Sequence, residues 1–261
     1  MPPWIRIAVL TAVLAVSVMA SPAPEPRRIH VAVVGDSLAH GAGDEEEKGI
    51  AGRLEAELKA LGIDSVVTTK LGSTGATTRD FAFVLRQPKT RSELASADAF
   101  VLSIGANDLR EAFLGGGALR SPIDVVDQVL RDIAGTVTEL HRINPRARVL
   151  LLGGYTPIPE ERVAIFLEPI IALWDAALMV QFVDDPLVSV VRLSDILDRP
   201  ERLSTLDSFH PGSEAYQEAA RRIAGLLAAD SPTVDANAAD AAGLQKPPVV
   251  NLDRKRGASL E

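Results

Sequence analysis

The sequence predicts an α/β fold in which a parallel sheet lies between two layers of helices. Short apolar runs alternate with longer amphipathic runs from about residue 28 to residue 230, and this alternation is typical of strand–helix–strand units with parallel strands. Right-handed crossovers restrict such units to a doubly wound, three-layer α/β/α sandwich. The chain has 261 residues, 47% of them hydrophobic, which suffices for one domain with a full core.

The predicted strands and helices follow one another in a regular order. Apolar runs predict strands at 30–34, 65–71, 99–104, 148–152 and 187–193. Amphipathic runs predict helices at 49–61, 77–86, 122–143, 163–182 and 213–229. Pro122 suits the first turn of its helix. The acidic run 44–47 is interpreted as a solvated helix start, where negative charge suits the helix dipole.

The first 23 residues are predicted to be a signal peptide. Arg6 is followed by an uncharged run at 7–20 and then by Ser21, Pro22 and Ala23. A membrane-spanning helix needs about 20 apolar residues, so this run fits a cleaved secretory signal better than a span. The mature protein is therefore expected to begin near Ser21 or Pro24, to have no stable membrane span and to be exported, periplasmic or secreted. The alternative is an uncleaved N-terminal anchor.

The other end of the chain is expected to be a disordered tail at 231–261. This segment has neither helical nor strand periodicity, and its apolar residues are mostly alanine. Such a composition buries too little surface to offset the entropy of ordering. The working domain is therefore predicted to span residues 24–230.

Composition excludes several classes of function. The formal net charge is −8 and the body of the chain has no basic tract, so binding to nucleic acid through charge is not expected. There are no cysteines, which rules out disulfides and thiolate chemistry. The four histidines show no paired spacing for a metal, and no phosphate-binding glycine motif follows the first strand. We therefore expect neither a metal nor a cofactor.

The segments that follow the predicted strands carry the chemistry. They are Gly-Asp-Ser-Leu at 35–38, Gly-Ser-Thr-Gly-Ala-Thr at 72–77, Gly-Ala-Asn-Asp at 105–108 and, beyond a long loop, Asp-Ser-Phe-His-Pro at 207–211. Ligands of doubly wound sheets bind at the carboxyl ends of the strands. A serine, an amide side chain and an aspartate three residues before a histidine at that edge are the parts needed for attack by an activated serine on a carbonyl.

These four segments, in this order, resemble the blocks of the SGNH (GDSL) hydrolase family. The resemblance covers about 31–211 and is nearest to bacterial GDSL-type esterases and lysophospholipase-like members. It implies a flavodoxin-like sheet of five parallel strands in the order 2-1-3-4-5 and ester hydrolysis without a cofactor. In that order the first and fifth strands are three spacings apart, roughly 14 Å, which the loop before His210 can cross.

The resemblance also implies the roles of single residues. Ser37 is expected to be the nucleophile, His210 its general base and Asp207 the carboxylate that orients the imidazole. The oxyanion is expected to be bound by the main-chain N–H groups of Ser37 and Gly75 and by the side-chain amide of Asn107. His40 lies closer to Ser37 in sequence, but it has no carboxylate at a defined offset, so His210 is the predicted base.

The predicted activity is hydrolysis of small-molecule carboxylic esters, either acyl esters or lysophospholipids. Aromatic residues are only 4% of the chain, which argues weakly against a carbohydrate platform. Deacetylation of carbohydrate and a non-catalytic binding module of the same fold stay open as alternatives. The segment 109–121 is either an apolar flap beside Asn107 or an ordinary connection.

Overall fold

The sheet has five parallel strands in the order β2-β1-β3-β4-β5. A computed structural model describes residues 26–114, 121–157 and 161–229. The strands are β1 (Arg28–Gly35), β2 (Ser65–Gly72), β3 (Ala99–Ser103), β4 (Arg148–Leu152) and β5 (Val188–Val191). The predicted fold class and strand order are confirmed.

Helices cover both faces of the sheet. Their bounds are α1 (Ser37–His40), α2 (Gly49–Ala60), α3 (Thr78–Leu85), α4 (Pro88–Leu94), α5 (Ala106–Leu114), α6 (Pro122–Ile143), α7 (Glu161–Gln181) and α8 (Ser213–Ala229), with a 3₁₀ turn at Pro200–Arg202. Within the described ranges, no helix has the length and apolarity that a bilayer crossing requires.

The core is divided by the sheet into two apolar clusters. Val31 and Val33 of β1 point to one face, where they pack with α2 and α8. Ala32 and Val34 point to the other face, where they pack with α3 and α6. Because successive side chains of a strand alternate between faces and all four are fully buried, β1 is an interior strand that helices cover on both faces, as in a three-layer sandwich.

The strand register aligns the segments that carry the chemistry. Gly35, the last residue of β1, pairs with Gly72 on β2 and with Ser103 on β3. The chain therefore leaves these three neighbouring strands at the same level. The Gly-Asp-Ser-Leu segment, the glycine-containing turn 72–77 and the segment that leads to Asn107 consequently emerge at one edge.

Three helices of the described residues were not predicted from the sequence. One is α1, which the Gly-Asp-Ser-Leu segment enters directly after β1. Another is α4, a two-turn helix with Pro88 at its first position. The third is α5, which includes residues 109–114 of the segment interpreted as a flap or connection. Residues 109–114 are therefore not an irregular connection, the flap stays a prediction, and 115–120 lie outside the described part of the chain. The predicted signal peptide and tail also lie outside the described residues.

Candidate active site

Ser37 lies in a short helix at the carboxyl end of β1. It is the first residue of α1, and its side chain is partly exposed. Asp36 caps this helix, since its Oδ1 accepts a hydrogen bond of 3.1 Å from the Leu38 N–H. The N–H of Ser37 lies in the first turn, where no intrahelical acceptor exists. The cap thus leaves both the hydroxyl and the N–H of Ser37 available to a ligand.

Asp207 and His210 form a tightly bonded pair. The Asp207 Oδ2 lies 2.6 Å from the His210 Nδ1, while Oδ1 accepts the main-chain N–H groups of Phe209 and His210, each at 3.0 Å. Burial raises the pKa of Asp207, but these hydrogen bonds outweigh it and lower the pKa. The ionised carboxylate only accepts, so Nδ1 carries a hydrogen and Nε2 is the free ring nitrogen.

The histidine segment lies against the loop that follows α1. Gly43 has φ +84°, and a Cβ there would lie 2.5 Å from the Cβ of His210, so only glycine fits. The Ser204 N–H donates to the His210 carbonyl at 2.7 Å. The Tyr155 hydroxyl donates to the Phe209 carbonyl at 3.2 Å.

Ser37 and His210, both within the described ranges, make no direct hydrogen bond with each other. Catalytic hydrogen bonds are often long before substrate binds.

The turn after β2 contributes Gly75. It has φ +83°, and a Cβ added there would have nothing within 4 Å, so its main chain borders open space. Among the described residues, none accepts a hydrogen bond from the Gly75 N–H. This N–H is therefore free for a ligand at the same edge as Ser37.

Asn107 lies in the first turn of α5, next to that turn. Its Nδ2 donates to the Ala76 carbonyl at 3.0 Å, which fixes the amide and leaves its second hydrogen free. The neighbouring Asp108 accepts from the N–H and hydroxyl of Thr78, at 3.0 and 2.5 Å. Asp108 therefore has a structural role, joining α5 to α3.

His40 ends α1 with an exposed side chain. Asp44, the acid nearest to it in sequence, is engaged elsewhere. Asp44 is 3% exposed and forms a bidentate ion pair with the buried Arg53. The interpretation of 44–47 as a solvated run is therefore wrong at Asp44. Sequence spacing gave no signal for this pair.

Two clefts lie at this edge of the sheet. One, of about 250 Å³, is lined by the turn that contains Gly75 and by Leu71, Phe81 and Val84. The other, of about 300 Å³, is mixed in character, with Thr156, Arg192, Asp195, Arg199 and Leu203 among its lining residues. Leu203 pairs with Pro211 across the base of the histidine loop, so the mixed cleft adjoins that loop.

Asp36 is a buried acid directly before Ser37. It is 3% exposed, and its Oδ1 accepts the Ser103 hydroxyl at 2.6 Å as well as the Leu38 N–H. Burial raises the pKa of Asp36 to about 6, although these hydrogen bonds and the nearby His210 oppose the rise. Since the ordinary value is 3.8, the folded protein binds this proton more tightly than the unfolded chain does.

Asp36→Asn is expected to remove the loss of folding stability that the ionisation of Asp36 causes as pH rises. Between pH 4 and 6 the folded state holds the Asp36 proton that the unfolded chain has released, so the wild-type protein loses stability as pH rises. Asparagine keeps an oxygen acceptor and does not titrate. The variant-minus-wild-type free energy of unfolding should therefore increase by roughly 2 kcal/mol from pH 4 to pH 7. Urea unfolding at several pH values measures it, with the exposed Asp127→Asn as control. A constant difference would contradict the buried-acid assignment.

The chain belongs to the GDSL-like lipase/acylhydrolase family, whose sequence profile matches residues 33–218. It is 22% identical over 204 residues to the uncharacterized protein YpmR of Bacillus subtilis, covering 75% of this chain and 80% of that one. Family membership makes the chain an esterase-type hydrolase.

Solved structures share the fold. The lipase Lip_vut3 from a goat rumen metagenome has a TM-score of 0.63 at 20% identity, covering 78% of this chain and 99% of its own. A variant of Axe2, an acetyl xylan esterase from Geobacillus stearothermophilus, has a TM-score of 0.56 at 15% identity, covering 79% and 97%.

Proposed function

We propose that the protein hydrolyses carboxylic esters, with Ser37 as nucleophile, His210 as general base and Asp207 as the carboxylate that orients the imidazole. The observation that carries this proposal is the 2.6 Å contact between Asp207 and His210, beside the loop that follows Ser37. The carboxylate holds the Nδ1 hydrogen and stabilises the imidazolium that forms when Nε2 takes the proton of Ser37.

In the proposed reaction the Ser37 oxygen attacks the ester carbonyl and its proton passes to His210. The oxyanion receives hydrogen bonds from the N–H groups of Ser37 and Gly75 and from the amide of Asn107. Collapse of the intermediate breaks the bond to the alcohol, which leaves with the proton from His210. Water then repeats the sequence on the acyl-enzyme, and the acid is released.

Acyl esters are the substrate class we favour. The cleft beside Gly75 has Asp80 and polar residues of the turn in its lining, but Leu71, Phe81 and Val84 form an apolar part of it. That part suits a hydrocarbon acyl group next to the proposed oxyanion site. A second candidate is deacetylation of carbohydrate. It is favoured by the polar residues of the mixed cleft, including Arg192 and Asp195, and by the likeness to an acetyl xylan esterase.

A panel of esters separates these candidates. It should contain p-nitrophenyl esters from acetate to palmitate, acetylated xylo-oligosaccharides and a lysophospholipid. We expect higher kcat/KM for acyl chains longer than acetate, because the apolar cleft gains contact area with each methylene. Preference for the acetylated sugars would favour the second candidate, and no turnover of any ester would contradict the proposed function.

Asn107→Ala is expected to lower kcat by about 10²–10³ with a smaller effect on KM. A lost oxyanion donor costs roughly 2.7–4 kcal/mol, felt chiefly in the transition state. Thr78→Val is the matched control, because it disturbs the same junction of α3 and α5 through Asp108 but removes no proposed donor. A rise in KM alone would make Asn107 a substrate-binding residue instead.

We also propose that the protein is exported after cleavage near Ser21 or Pro24. The short uncharged run after Arg6 and the small residues that follow it support this. N-terminal sequencing of the protein recovered from cells and from medium tests it, and an intact N-terminus on exported material would contradict cleavage.

A further inference from the structure

Glu45 connects the loop after Ser37 with both ends of the histidine segment. Its Oε1 accepts from the N–H and the hydroxyl of Thr205, at 2.9 and 3.2 Å. Its Oε2 accepts from the N–H of Ser213 at 2.8 Å and lies 2.8 Å from the Ser213 hydroxyl. Thr205 and Ser213 flank the stretch that contains Asp207 and His210. A single carboxylate thus closes this stretch into a loop.

The loop that carries Glu45, between α1 and α2, is held in place by its own hydrogen bonds. The adjacent Asp44 is buried against Arg53 and accepts the Gly49 N–H at 2.5 Å, and the Ser213 hydroxyl lies 2.7 Å from its Oδ1. The Tyr216 hydroxyl donates to the Ala42 carbonyl at 2.7 Å. The loop after α1 is therefore anchored to α2 and α8, and Glu45 transmits that anchorage to the histidine segment.

The segment needs such support, because its own backbone is strained. Ser208, between Asp207 and His210, has φ +54°, a left-handed conformation that is rare outside glycine. Strain of this kind persists where the surroundings hold the chain in place. Burial raises the pKa of Glu45, but the hydrogen bonds from Thr205 and Ser213 outweigh it and hold the pKa at about 2. The carboxylate is therefore ionised throughout the pH range of an esterase assay.

We propose that Glu45 is a positioning residue, which fixes the position of Asp207 and His210 relative to Ser37 by accepting hydrogen bonds from the N–H groups at both ends of their segment. The inference rests on the proposed function for its catalytic consequence. The contacts themselves do not depend on it. Among the described residues, the Glu45 side chain bonds Thr205 and Ser213 and forms no hydrogen bond with Ser37 or His210, so we expect it to act on the reaction through the geometry of the histidine segment.

The test is Glu45→Gln, compared with Glu47→Gln. Glutamine can accept at one end of the segment only, since its amide nitrogen would face the other N–H donor. Glu47→Gln removes the same charge from the same run, at an exposed position with no side-chain hydrogen bond to the segment. We expect kcat to fall about tenfold in Glu45→Gln with KM changed less than about twofold, and no change in Glu47→Gln.

A second readout follows the imidazole without relying on catalysis. With the segment loosened, the hydrogen bond between the Nδ1–H of His210 and the Asp207 carboxylate should be weaker in Glu45→Gln than in the wild type. The NMR signal of the Nδ1 hydrogen measures this directly, because it moves upfield as the bond weakens. At about 1 M salt the effect of a lost surface charge is screened, whereas an effect of geometry persists.

The outcomes test the positioning role of Glu45 separately from the proposed ester hydrolysis. An upfield shift of the Nδ1 hydrogen signal of His210 in Glu45→Gln that persists at high salt, with Glu47→Gln like the wild type, supports the positioning role even if no ester is hydrolysed. Equal signals and equal kcat in both variants would overturn it. If Glu45→Gln does not fold, Ser213→Ala keeps both main-chain bonds to Glu45 and should give a smaller shift of the same sign. No shift in Ser213→Ala would then count against the proposal.

Discussion

Replacing Ser37 with alanine is expected to lower kcat/KM for esters by a factor of about 10⁴ or more while leaving the fold intact. Loss of a triad member removes the covalent route, and the residual rate comes from binding and the oxyanion donors. The fold should survive because α1 is capped by Asp36 and the Ser37 side chain has no hydrogen-bond partner in the part of the chain that the structure describes. Alanine is also acceptable at the first helical position.

The experiment compares Ser37→Ala with Ser65→Ala, an exposed serine at the start of β2 on the opposite edge of the sheet. Both variants should unfold at the temperature of the wild type, and only the first should lose activity. Turnover by Ser37→Ala above about a thousandth of the wild-type value would count against Ser37 as the nucleophile.

The second large effect distinguishes two histidines. His210→Ala is expected to abolish measurable hydrolysis, because no other group would remove the Ser37 proton. His40→Ala should change kcat/KM by less than about tenfold, through the shape of the site alone. The structural difference between them is the carboxylate: Asp207 lies 2.6 Å from the His210 ring, whereas Asp44, the acid nearest to His40 in sequence, is committed to Arg53.

Both variants should be assayed from pH 5 to pH 9. Under the proposed mechanism, His40→Ala keeps the shape of the wild-type pH profile, since His40 takes no proton in the reaction. An inactive His40→Ala, together with a His210→Ala that keeps the wild-type activity and profile, would reverse the assignment of the base.

The sheet and most helices could be predicted because their signals are local. Apolar runs marked all five strands, and the bounds of α6, α8 and β4 agree with the predicted ranges. The helix α5 was missed because Gly115, Gly116 and Gly117 follow it closely and made the whole segment resemble a connection. Glycine disfavours helix only where it stands, and the preceding residues form α5.

In the candidate site, too, features formed by residues close in sequence could be predicted, and features formed by residues distant in sequence could not. The Asp207–His210 pair was visible because three residues separate its members, and the segments after each strand indicated which edge to examine. The role of Glu45 was not visible, since its partners lie 160 and 168 residues away. Asp44 was misjudged because a run of acids suggests solvent, while burial depends on Arg53, which only the folded packing of α2 brings into contact.

Labelling with a fluorophosphonate, which reacts with activated serines, tests most directly whether Ser37 is the nucleophile, with mass spectrometry of the intact protein and its peptides as the readout. We expect one adduct per chain, on the peptide that contains Ser37, absent in Ser37→Ala and formed much more slowly in His210→Ala. A folded wild-type protein that takes up no adduct, or one that carries it on a different residue, would contradict the assignment of Ser37 as an activated nucleophile.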